Sequence, residues 1–333
     1  MIIKHAILHI LDKDAGHLVT SQGELNLTQS GVHEYLEKLL EKLNQGDVKS
    51  GQLQADDFLS AYVDNNNTQT FAEKTGQLAE KLFETIAAAE EVPAGDMLSL
   101  EYSEGQDDFF ALLKLNFAPR YAHNVEYEDD MMVNKLVLNQ AVLPAASQRP
   151  DEGIVVNLMT GDYVLIEKNY LIDGHRVNNF SKRFLELEPA NSNKVQLTEL
   201  KKVIKTVADK YDLPLHEAYA NTQEGVFEQI SEGETINIKE ISHKVFKENI
   251  AAQTDFQQVA NDKELDQEII LANPMKYEKK FAIQRFKLDS GIEISIPTNI
   301  FHDKRKVEII NNPDGSLSLL VKDIESIMNT FNG

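Results

Sequence analysis

The stretch that decides the fold of the N-terminal part is MLSLEYSEGQDDFFALLKLNF, residues 97–117. Two apolar runs, at 97–102 and 108–117, flank a polar segment that contains glycine, which is the pattern of two strands joined by a turn. Before them, Pro93-Ala94-Gly95 ends a helical pattern over 69–91, because proline and glycine interrupt helices. Strands beside helices predict a mixed sheet-plus-helix region.

Further elements flank this stretch on both sides. Apolar residues from Val32 to Leu43 recur at spacings of three and four, the periodicity of a helix over 31–44. A short helix is predicted near 55–63. Strands are expected at 2–11, 17–20, 131–139, 153–158 and 162–167.

From about residue 176 the pattern changes to helices followed by hairpins. Helical periodicity is expected over 177–187, 196–211, 214–231, 238–250 and 252–260. Turn-rich segments then predict two hairpins and a last helix, at 280–288 with 291–297, 305–310 with 316–321, and 322–331. The chain is therefore expected to be an α+β protein. Its predicted domains are a mixed α+β domain over 1–175 and, over 176–333, a helical region followed by antiparallel hairpins and a C-terminal helix.

Two phenylalanines indicate which side of the 177–187 segment is buried. Phe180 and Phe184 are four residues apart, so they lie on one face of a helix. We expect both to face the core, with Arg176 and Arg183 facing solvent.

Composition excludes several classes of protein. The chain has 333 residues and no cysteine, which rules out a disulfide framework, a thiol nucleophile and a cysteine zinc site. This length predicts about two domains. No apolar stretch approaches the length needed to cross a bilayer. We expect a cytoplasmic protein without membrane contact.

The net charge of −21 is spread unevenly along the chain. Residues 1–150 hold 11 Lys+Arg against 24 Asp+Glu, a net charge of −13, whereas residues 151–333 hold 22 against 30, a net charge of −8. An acidic chain repels nucleic acid at long range. DNA binding therefore requires that cations gather on one face.

No catalytic motif stands out. The sequence has no Gly-x-Gly-x-x-Gly, no Walker loop and no Gly-x-Ser-x-Gly elbow. His5 and His9 have the spacing of zinc ligands on a helix, but they lie on a predicted strand with no intervening Glu. We expect them to be partly exposed on the polar side of that strand.

An acidic run offers the one candidate for a divalent cation. Hard cations bind several oxygen ligands, and a carboxylate-rich stretch supplies them beside His123, at Glu126, Glu128, Asp129 and Asp130. The run lacks the glycine-bearing spacing of a calcium loop, and a solvated loop is the expected structure. A metal-dependent hydrolase or nuclease remains an alternative.

Basic side chains cluster in the second half of this acidic chain. Asn178 and Asn179 lie among the cations of the 168–183 segment and can hydrogen-bond phosphates. Lys201 and Lys205 are one helical turn apart and share a face. Other cations of this half are Lys194, Lys276, Lys279, Lys280, Arg285 and Lys287.

Four segments give the chain a family resemblance. RVNNFSKRFL (176–185) follows a pattern of a basic residue, Val, two variable residues, Phe, three variable residues and Phe-Leu. With ILHILD (7–12), KLDSGIEISIP (287–297) and VEIINNPDGSLSLLVK (307–322), it resembles the bacterial nucleoid-associated protein family of the NdpA type. The resemblance covers essentially the whole chain, and its motifs are structural rather than catalytic.

The resemblance implies a nucleoid-associated, non-enzymatic protein that binds DNA with little sequence preference and needs no cofactor. It also implies self-association, for which we expect a homodimer or larger homo-oligomer, and contact with a type II topoisomerase. One alternative is a protein–protein adaptor, recruited to the nucleoid through a partner such as that topoisomerase and steered by its acidic N-terminal part. The metal-dependent enzyme is the other.

The residues expected to contact DNA combine cations with neutral phosphate-binding side chains. Two sets of cations, Arg176 with Lys182 and Arg183 and Lys201 with Lys202 and Lys205, are expected on consecutive helices and on one surface, where Asn178 and Asn179 would add phosphate hydrogen bonds. The full set of expected contacts is Lys168, Arg176, Asn178, Asn179, Lys182, Arg183, Lys201, Lys202, Lys205, Lys304, Arg305 and Lys306.

Overall fold

The computed structural model describes residues 1–44, 46–64, 68–172, 174–326 and 328. They fall into two compact units, Met1–Ser192 and Asn193–Gly333, which are described separately. Helices accompany antiparallel strands in both units, which confirms the α+β class. The domain division at residue 175 stays a prediction. Within the described residues, no helix is both long enough and apolar enough to cross a membrane.

An antiparallel sheet of seven strands forms the centre of the first unit. The strands of this unit are β1 (Ile2–Asp12), β2 (His17–Val19), β3 (Lys49–Gln52), β4 (Gly95–Glu104), β5 (Asp107–Asn116), β6 (Arg120–Glu128), β7 (Met131–Asn139), β8 (Glu152–Asn157), β9 (Asp162–Ile166), β10 (Asn169–Ile172) and β11 (His175–Asn178). The order in the sheet is β2-β1-β4-β5-β8-β9-β3. The pairs β6–β7 and β10–β11 form separate two-stranded sheets.

Helices bury both faces of the seven-stranded sheet. They are α1 (Ser30–Asn44), α2 (Ser60–Val63), α3 (Phe71–Ala87) and a π-helix (Asn179–Leu185). Leu78 and Leu82 of α3 join one buried cluster, whereas Leu36 and Leu39 of α1 join another. The central strands β4 and β5 contribute alternate residues to the two clusters, so both faces of each strand are buried. This explains why the sequence of each strand is a nearly continuous apolar run.

The predictions for the first unit are confirmed for most elements. The strands at 97–102 and 108–117 and the helix over 31–44 are present, and the helix predicted over 69–91 is the shorter α3. The helix near 55–63 is reduced to the four residues of α2. The expected loop is confirmed for half of the acidic run, because Asp129 and Asp130 form the exposed turn between β6 and β7, whereas Glu126 and Glu128 lie in β6.

The helix predicted over 177–187 is wrong in type. Residues 175–178 form β11, because they pair with β10 through Tyr170 and Val177, and the rest is a short π-helix. The prediction of its buried side is confirmed. Phe180 and Phe184 are fully buried, with ring centroids 5.4 Å apart.

Replacing Phe184 by Ala should destabilise the protein by about 3 kcal/mol, because the fully buried ring leaves a cavity that its neighbours fill only partly. The free energy of unfolding in urea, followed by circular dichroism, measures the loss. Arg183→Ala on the exposed side of the same turn is the control and should change it by less than about 0.5 kcal/mol. An unchanged unfolding midpoint for Phe184→Ala would contradict the burial of the ring.

His9 is buried, which corrects the expectation of two partly exposed histidines. The Ser21 backbone N–H donates to His9 Nδ1 over 3.0 Å, so that nitrogen is an acceptor and the proton sits on Nε2. Nε2 donates to Thr75 Oγ1, also over 3.0 Å, and that hydroxyl donates to the Phe71 carbonyl. His5 stays half-buried and lies 2.9 Å from a Glu24 carboxylate oxygen. Burial lowers the pKa of His9 to about 4 and holds the ring neutral.

The buried His9 should make stability depend on pH. Its folded-state pKa of about 4 lies below the ordinary value of 6.5, so the stability that it contributes is present above pH 6.5 and is lost as the pH falls towards 4. Between these limits the unfolding free energy of wild type should fall by about 3 kcal/mol relative to that of His9→Gln. Urea unfolding across this range measures the difference.

Asp96 is a buried carboxyl group whose effect on the unfolding free energy should have the opposite pH dependence to that of His9. Burial raises the pKa of its carboxyl from 3.8 to about 6, so its protonation as the pH falls stabilises the folded state. Relative to Asp96→Asn, wild type should therefore gain stability as the pH falls from 6 to 4. For His9, unfolding free energies of wild type and His9→Gln that change in parallel with pH would contradict a neutral, buried His9 ring.

The second unit has a helical part and two hairpins. Its helices are α4 (Asn193–Lys210), α5 (Leu215–Glu232), α6 (Ile238–Phe246), α7 (Ile250–Asp262), α8 (Pro274–Phe281) and α9 (Thr298–Phe301). Its strands are β12 (Thr235–Asn237), β13 (Glu268–Ile270), β14 (Ile283–Lys287), β15 (Glu293–Pro297), β16 (Val307–Asn311) and β17 (Leu317–Val321). Helices α4 to α8 share one buried cluster, and the hairpins β14–β15 and β16–β17 share a smaller one.

Most of the helices and strands predicted from the sequence are also present in the second unit. The four helices predicted between 196 and 260 are α4 to α7, and both predicted hairpins exist. The first hairpin is shorter than expected because residues 280–281 end α8. Of the helix predicted over 322–331, residues 322–326 and 328 are not helical, and the others lie outside the described residues.

Candidate nucleic-acid interface

Two glutamines fix α5 against the strand β14. Gln223 of α5 donates from Nε2 to the carbonyls of Ile283 and Phe281, over 2.8 and 3.2 Å. Gln284 of β14 donates in the opposite direction, to the Ala220 carbonyl of α5, over 3.1 Å. Gln284 is buried on β14 while its neighbours Ile283 and Arg285 are exposed, as the alternation of a strand requires. These bonds give the surface beside α5 a fixed shape.

Two adjoining cavities lie along this helix. The larger, of about 710 Å³, runs between α5 and the two hairpins. The smaller, of about 500 Å³, runs between α5, α4 and α8. Tyr219, Gln223 and Arg285 line both. We call the two together the α5 groove.

The α5 groove is lined by cations from three elements. Its basic residues are Lys194, Lys201, Lys280, Arg285 and Lys287. Against these, Asp289 is the one acidic residue among the described side chains that line it. Lys287 also lies 3.6 Å from a carboxylate oxygen of Glu293 outside the lining. Even with this pair, basic residues outnumber acidic ones along the groove.

Aromatic rings lie beside these cations. Lys201 Nζ is 4.9 Å from the ring centroid of Tyr219, and Lys280 Nζ is 5.5 Å from that of Phe281. Both distances fall within the range of a cation–π interaction. Burial raises the pKa of the Tyr219 hydroxyl, an effect that the nearby Lys205 opposes. The phenol is thus a neutral hydrogen-bonding group beside the ammonium groups.

Charge differs between the two units. Residues 1–192 hold 15 Lys+Arg against 31 Asp+Glu, a net charge of −16, and residues 193–333 hold 18 against 23, a net charge of −5. Most of the acidity thus lies outside the unit that contains the α5 groove. A cleft lined by one sign of charge concentrates ligands of the opposite sign. Ammonium and guanidinium groups beside aromatic rings suit a polyanion with flat rings, which is a nucleic acid.

Two of the predicted DNA contacts of the first unit are paired with carboxylates. Lys168 pairs with Asp151 at 2.8 Å, and Lys182 pairs with Glu188 at 3.2 Å. Asn179 is buried, so its amide does not reach solvent and the prediction of a phosphate contact from it is wrong. The other three are more accessible, since Asn178 is half-buried and both Arg176 and Arg183 are exposed. Arg176 lies on β11 and therefore not on a helix, whereas Lys182 and Arg183 lie on the π-helix that precedes α4.

The predicted contacts of the second unit are also mostly paired with carboxylates. Lys202 lies 2.5 Å from Glu199, and Lys205 lies 2.5 Å from Asp209. Among the predicted contacts at 304–306, Lys304 is exposed. Arg305 lies 3.0 Å from Asp303, and Lys306 lies 3.6 Å from Asp323. Lys201 is the one predicted residue that the described structure places in the α5 groove.

Four groove cations lie outside the set of DNA contacts predicted from the sequence. Lys194, Lys280, Arg285 and Lys287 come from α4, α8 and β14, so up to about ninety residues of chain separate them. A sequence signal did exist, because Arg285 and Lys287 alternate on one strand and therefore share a face.

The acidic run is largely engaged with a lysine. Lys135 of β7 lies 2.7 Å from a Glu126 carboxylate oxygen and also contacts Glu128. In the part of the chain that is described, no group of three or more metal-ligating side chains occurs.

Comparison with known protein families gives a match over nearly the whole chain. A protein-family model described as nucleoid-associated protein YejK matches residues 7–329. A search of curated proteins gave no match. The matched range includes the α5 groove and nearly all of both units.

Proposed function

Since the chain belongs to the nucleoid-associated protein YejK family, we propose that it binds DNA with little sequence preference, without catalysis, through the α5 groove. The observation that carries this proposal is the lining of the groove by five cations from three elements, with aromatic rings beside two of them. The family membership also supports a position at the nucleoid.

The chemistry of the groove favours contact with the DNA backbone. Lysine and arginine neutralise phosphates, which are the same at every base pair and carry no sequence information. Aromatic rings stack on any base or pack against any sugar. The chain has no cysteine and therefore no zinc finger with cysteine ligands. Binding should therefore depend on length and salt more than on sequence.

The overall charge sets the conditions under which binding occurs. At −21 the protein repels DNA at a distance, and the attraction is local to the groove. Added salt screens both effects, but release of counterions from the phosphates dominates at contact. Affinity should therefore fall steadily as the salt concentration rises.

Fluorescence anisotropy of two labelled duplexes, equal in length and unrelated in sequence, tests this function. The two affinities should agree within about threefold, and both should fall linearly on a log–log plot against salt. A single strand of the same length serves as a third ligand. Plasmid incubated with the protein and Mg²⁺ should stay intact. Cleavage would favour the metal-dependent enzyme, and no duplex binding at low salt would contradict direct contact.

We also propose that the protein self-associates, as a homodimer, and that it acts in the cytoplasm. Contact with a type II topoisomerase remains a proposal from the family resemblance. One observation supports the alternative function as an adaptor. The net charge of −16 on residues 1–192 would steer a basic protein partner towards this unit. Recruitment to DNA only when a topoisomerase is added would favour the adaptor.

A further inference from the structure

The strands β6 and β7 form a ribbon that pairs with no other described strand. Their register runs from Arg120 opposite Asn139 to Glu128 opposite Met131. The ribbon follows β5 and precedes β8 in the chain, so it is an excursion from the middle of the seven-stranded sheet. We call it the β-arm. A lone two-stranded ribbon is at best marginally stable in water, so something should cover it.

One face of the β-arm is apolar and exposed. Alternation along the strands places six large apolar residues on this face, and they are Tyr121, Val125, Tyr127, Met132, Leu136 and Leu138. Tyr127 and Leu136 are each 76% exposed, and Tyr121 is 70% exposed. The other two positions of the face are His123 and Asn134, so it carries no carboxylate, lysine or arginine.

The opposite face of the β-arm carries the charges. Lys135 there bridges Glu126 and Glu128, and Arg120 lies at the base. A solvated sheet has polar side chains on its water-facing side and apolar ones on its covered side. The β-arm follows this pattern only in part, because its charged face also carries Met131 and Val137, which are 63% and 45% exposed. The face without charges lies open to solvent. An exposed apolar patch of this extent marks an interaction site.

We propose that the apolar face of the β-arm packs against the same face of a second copy of this chain. The inference rests on the proposed self-association and names its surface. A face without cations does not suit DNA phosphates, and a face without any formal charge suits its own copy. Two-fold symmetry makes such an interface isologous, so each residue on one arm has its counterpart on the other.

The buried area is sufficient for a specific dimer. Six large side chains with this exposure cover on the order of 600 Å² on each arm, since a fully exposed aromatic side chain presents about 150–250 Å². Two arms together would remove about 1,200 Å² from water, which is at the lower limit of a specific interface. Contacts beyond the β-arm would add to it.

Charge sets the relative direction of the two arms. The tip holds Glu126, Glu128, Asp129 and Asp130, whereas Arg120 is the charged residue of the base. A parallel arrangement would place two acidic tips together. An antiparallel arrangement separates the tips by about 30 Å, the length of a nine-residue strand, well beyond the screening length of about 8 Å. The two arms therefore run antiparallel, with Val125 and Asn134 near the two-fold axis.

Sedimentation velocity of the full chain at micromolar concentration tests the surface. Wild type should be a dimer, and Tyr127→Glu with Leu136→Glu should raise the dissociation constant at least about 100-fold. The matched control, Ala122→Glu with Asn124→Glu, adds the same charge to the opposite face and should remain a dimer. Circular dichroism should show that all three are folded. A monomeric wild type would overturn the self-association itself. A dimer that survives the apolar-face variant would overturn only the β-arm as its surface.

Single cysteines test the direction, because the natural chain has none to interfere. With a short bismaleimide, Asn134→Cys near the axis should give a covalent dimer. Asp130→Cys at the tip should stay largely uncrosslinked at the same concentration. Efficient linking at Asp130→Cys instead would overturn the antiparallel arrangement.

Discussion

Replacing Lys201, Lys280 and Arg285 together by Gln should weaken duplex binding by about two to three orders of magnitude near 0.1 M salt. The three cations line the α5 groove from α4, α8 and β14. Each cation that neutralises a phosphate adds about 0.9 to the slope of log affinity against log salt. Loss of three should therefore flatten that slope by about 2–3 units, and by the same amount for every sequence. Fluorescence anisotropy across a salt series measures it.

The matched control removes three cations that are paired with carboxylates. Lys202, Lys210 and Lys306 lie beside Glu199, Asp255 and Asp323, and none of the three lysines lines the groove. Their replacement by Gln changes the net charge equally but should leave the slope within about 1 unit of wild type. Equal slopes for both triple variants would show that affinity follows net charge, and an unchanged slope in the groove variant would place the contact elsewhere.

Basic residues are easy to recognise in a sequence, but the sequence does not show which of them lie together on one surface. Lys202 with Glu199 and Lys205 with Asp209 are three and four residues apart on a helix, so their ion pairs follow from spacing. A count of cations along the chain still predicts both lysines as DNA contacts, because it ignores the neighbouring carboxylates. The groove itself depends on α5 lying against β14, and the amide bonds of Gln223 and Gln284 that fix it connect residues about sixty positions apart.

The fold was predictable where local pattern and tertiary environment agree. Strands β4 and β5 were found because both of their faces are buried, so apolar runs mark them. Strand β6 was missed because its residues meet no core in their own chain, and its carboxylates resemble those of a loop. The segment at 175–185 has helical spacing at Phe180 and Phe184, but pairing with β10 takes its first four residues into a strand. For β6 and for the 175–185 segment, the secondary structure therefore depends on pairing with residues outside the segment itself.

A buried ion pair joins two central strands of the first unit. Lys114 of β5 is opposite Glu152 of β8, with Nζ 3.2 Å from the carboxylate Oε2, and each side chain is 1% exposed. Burial lowers the pKa of the Lys114 ammonium and raises that of the Glu152 carboxyl, while each group opposes the shift of the other. Lys114 also donates to the Asn116 side chain, which in turn donates to Asp151 over 2.8 Å. The charges are therefore compensated within the sheet.

Replacing Lys114 by Met should cost about 4 kcal/mol of unfolding free energy at pH 8, because it leaves the Glu152 carboxylate buried without its cation. Adding Glu152→Leu should recover most of the loss, since an apolar pair of similar volume removes the unpaired charge. Urea unfolding by circular dichroism is suitable, because the chain has no tryptophan for fluorescence.

Lys4→Met is the matched control for this cycle. Lys4 pairs with Asp108 at 2.6 Å on the same sheet, but both side chains are exposed, and an exposed pair is worth less than about 1 kcal/mol. The cost of Lys114→Met should also shrink at pH 5. Without its lysine, the raised pKa of Glu152 lets the carboxyl take up a proton, and a raised folded-state pKa means that stability increases as the pH falls. A loss that is equal at both pH values, and that Glu152→Leu does not relieve, would mean that Lys114 acts through its packing and not through its charge.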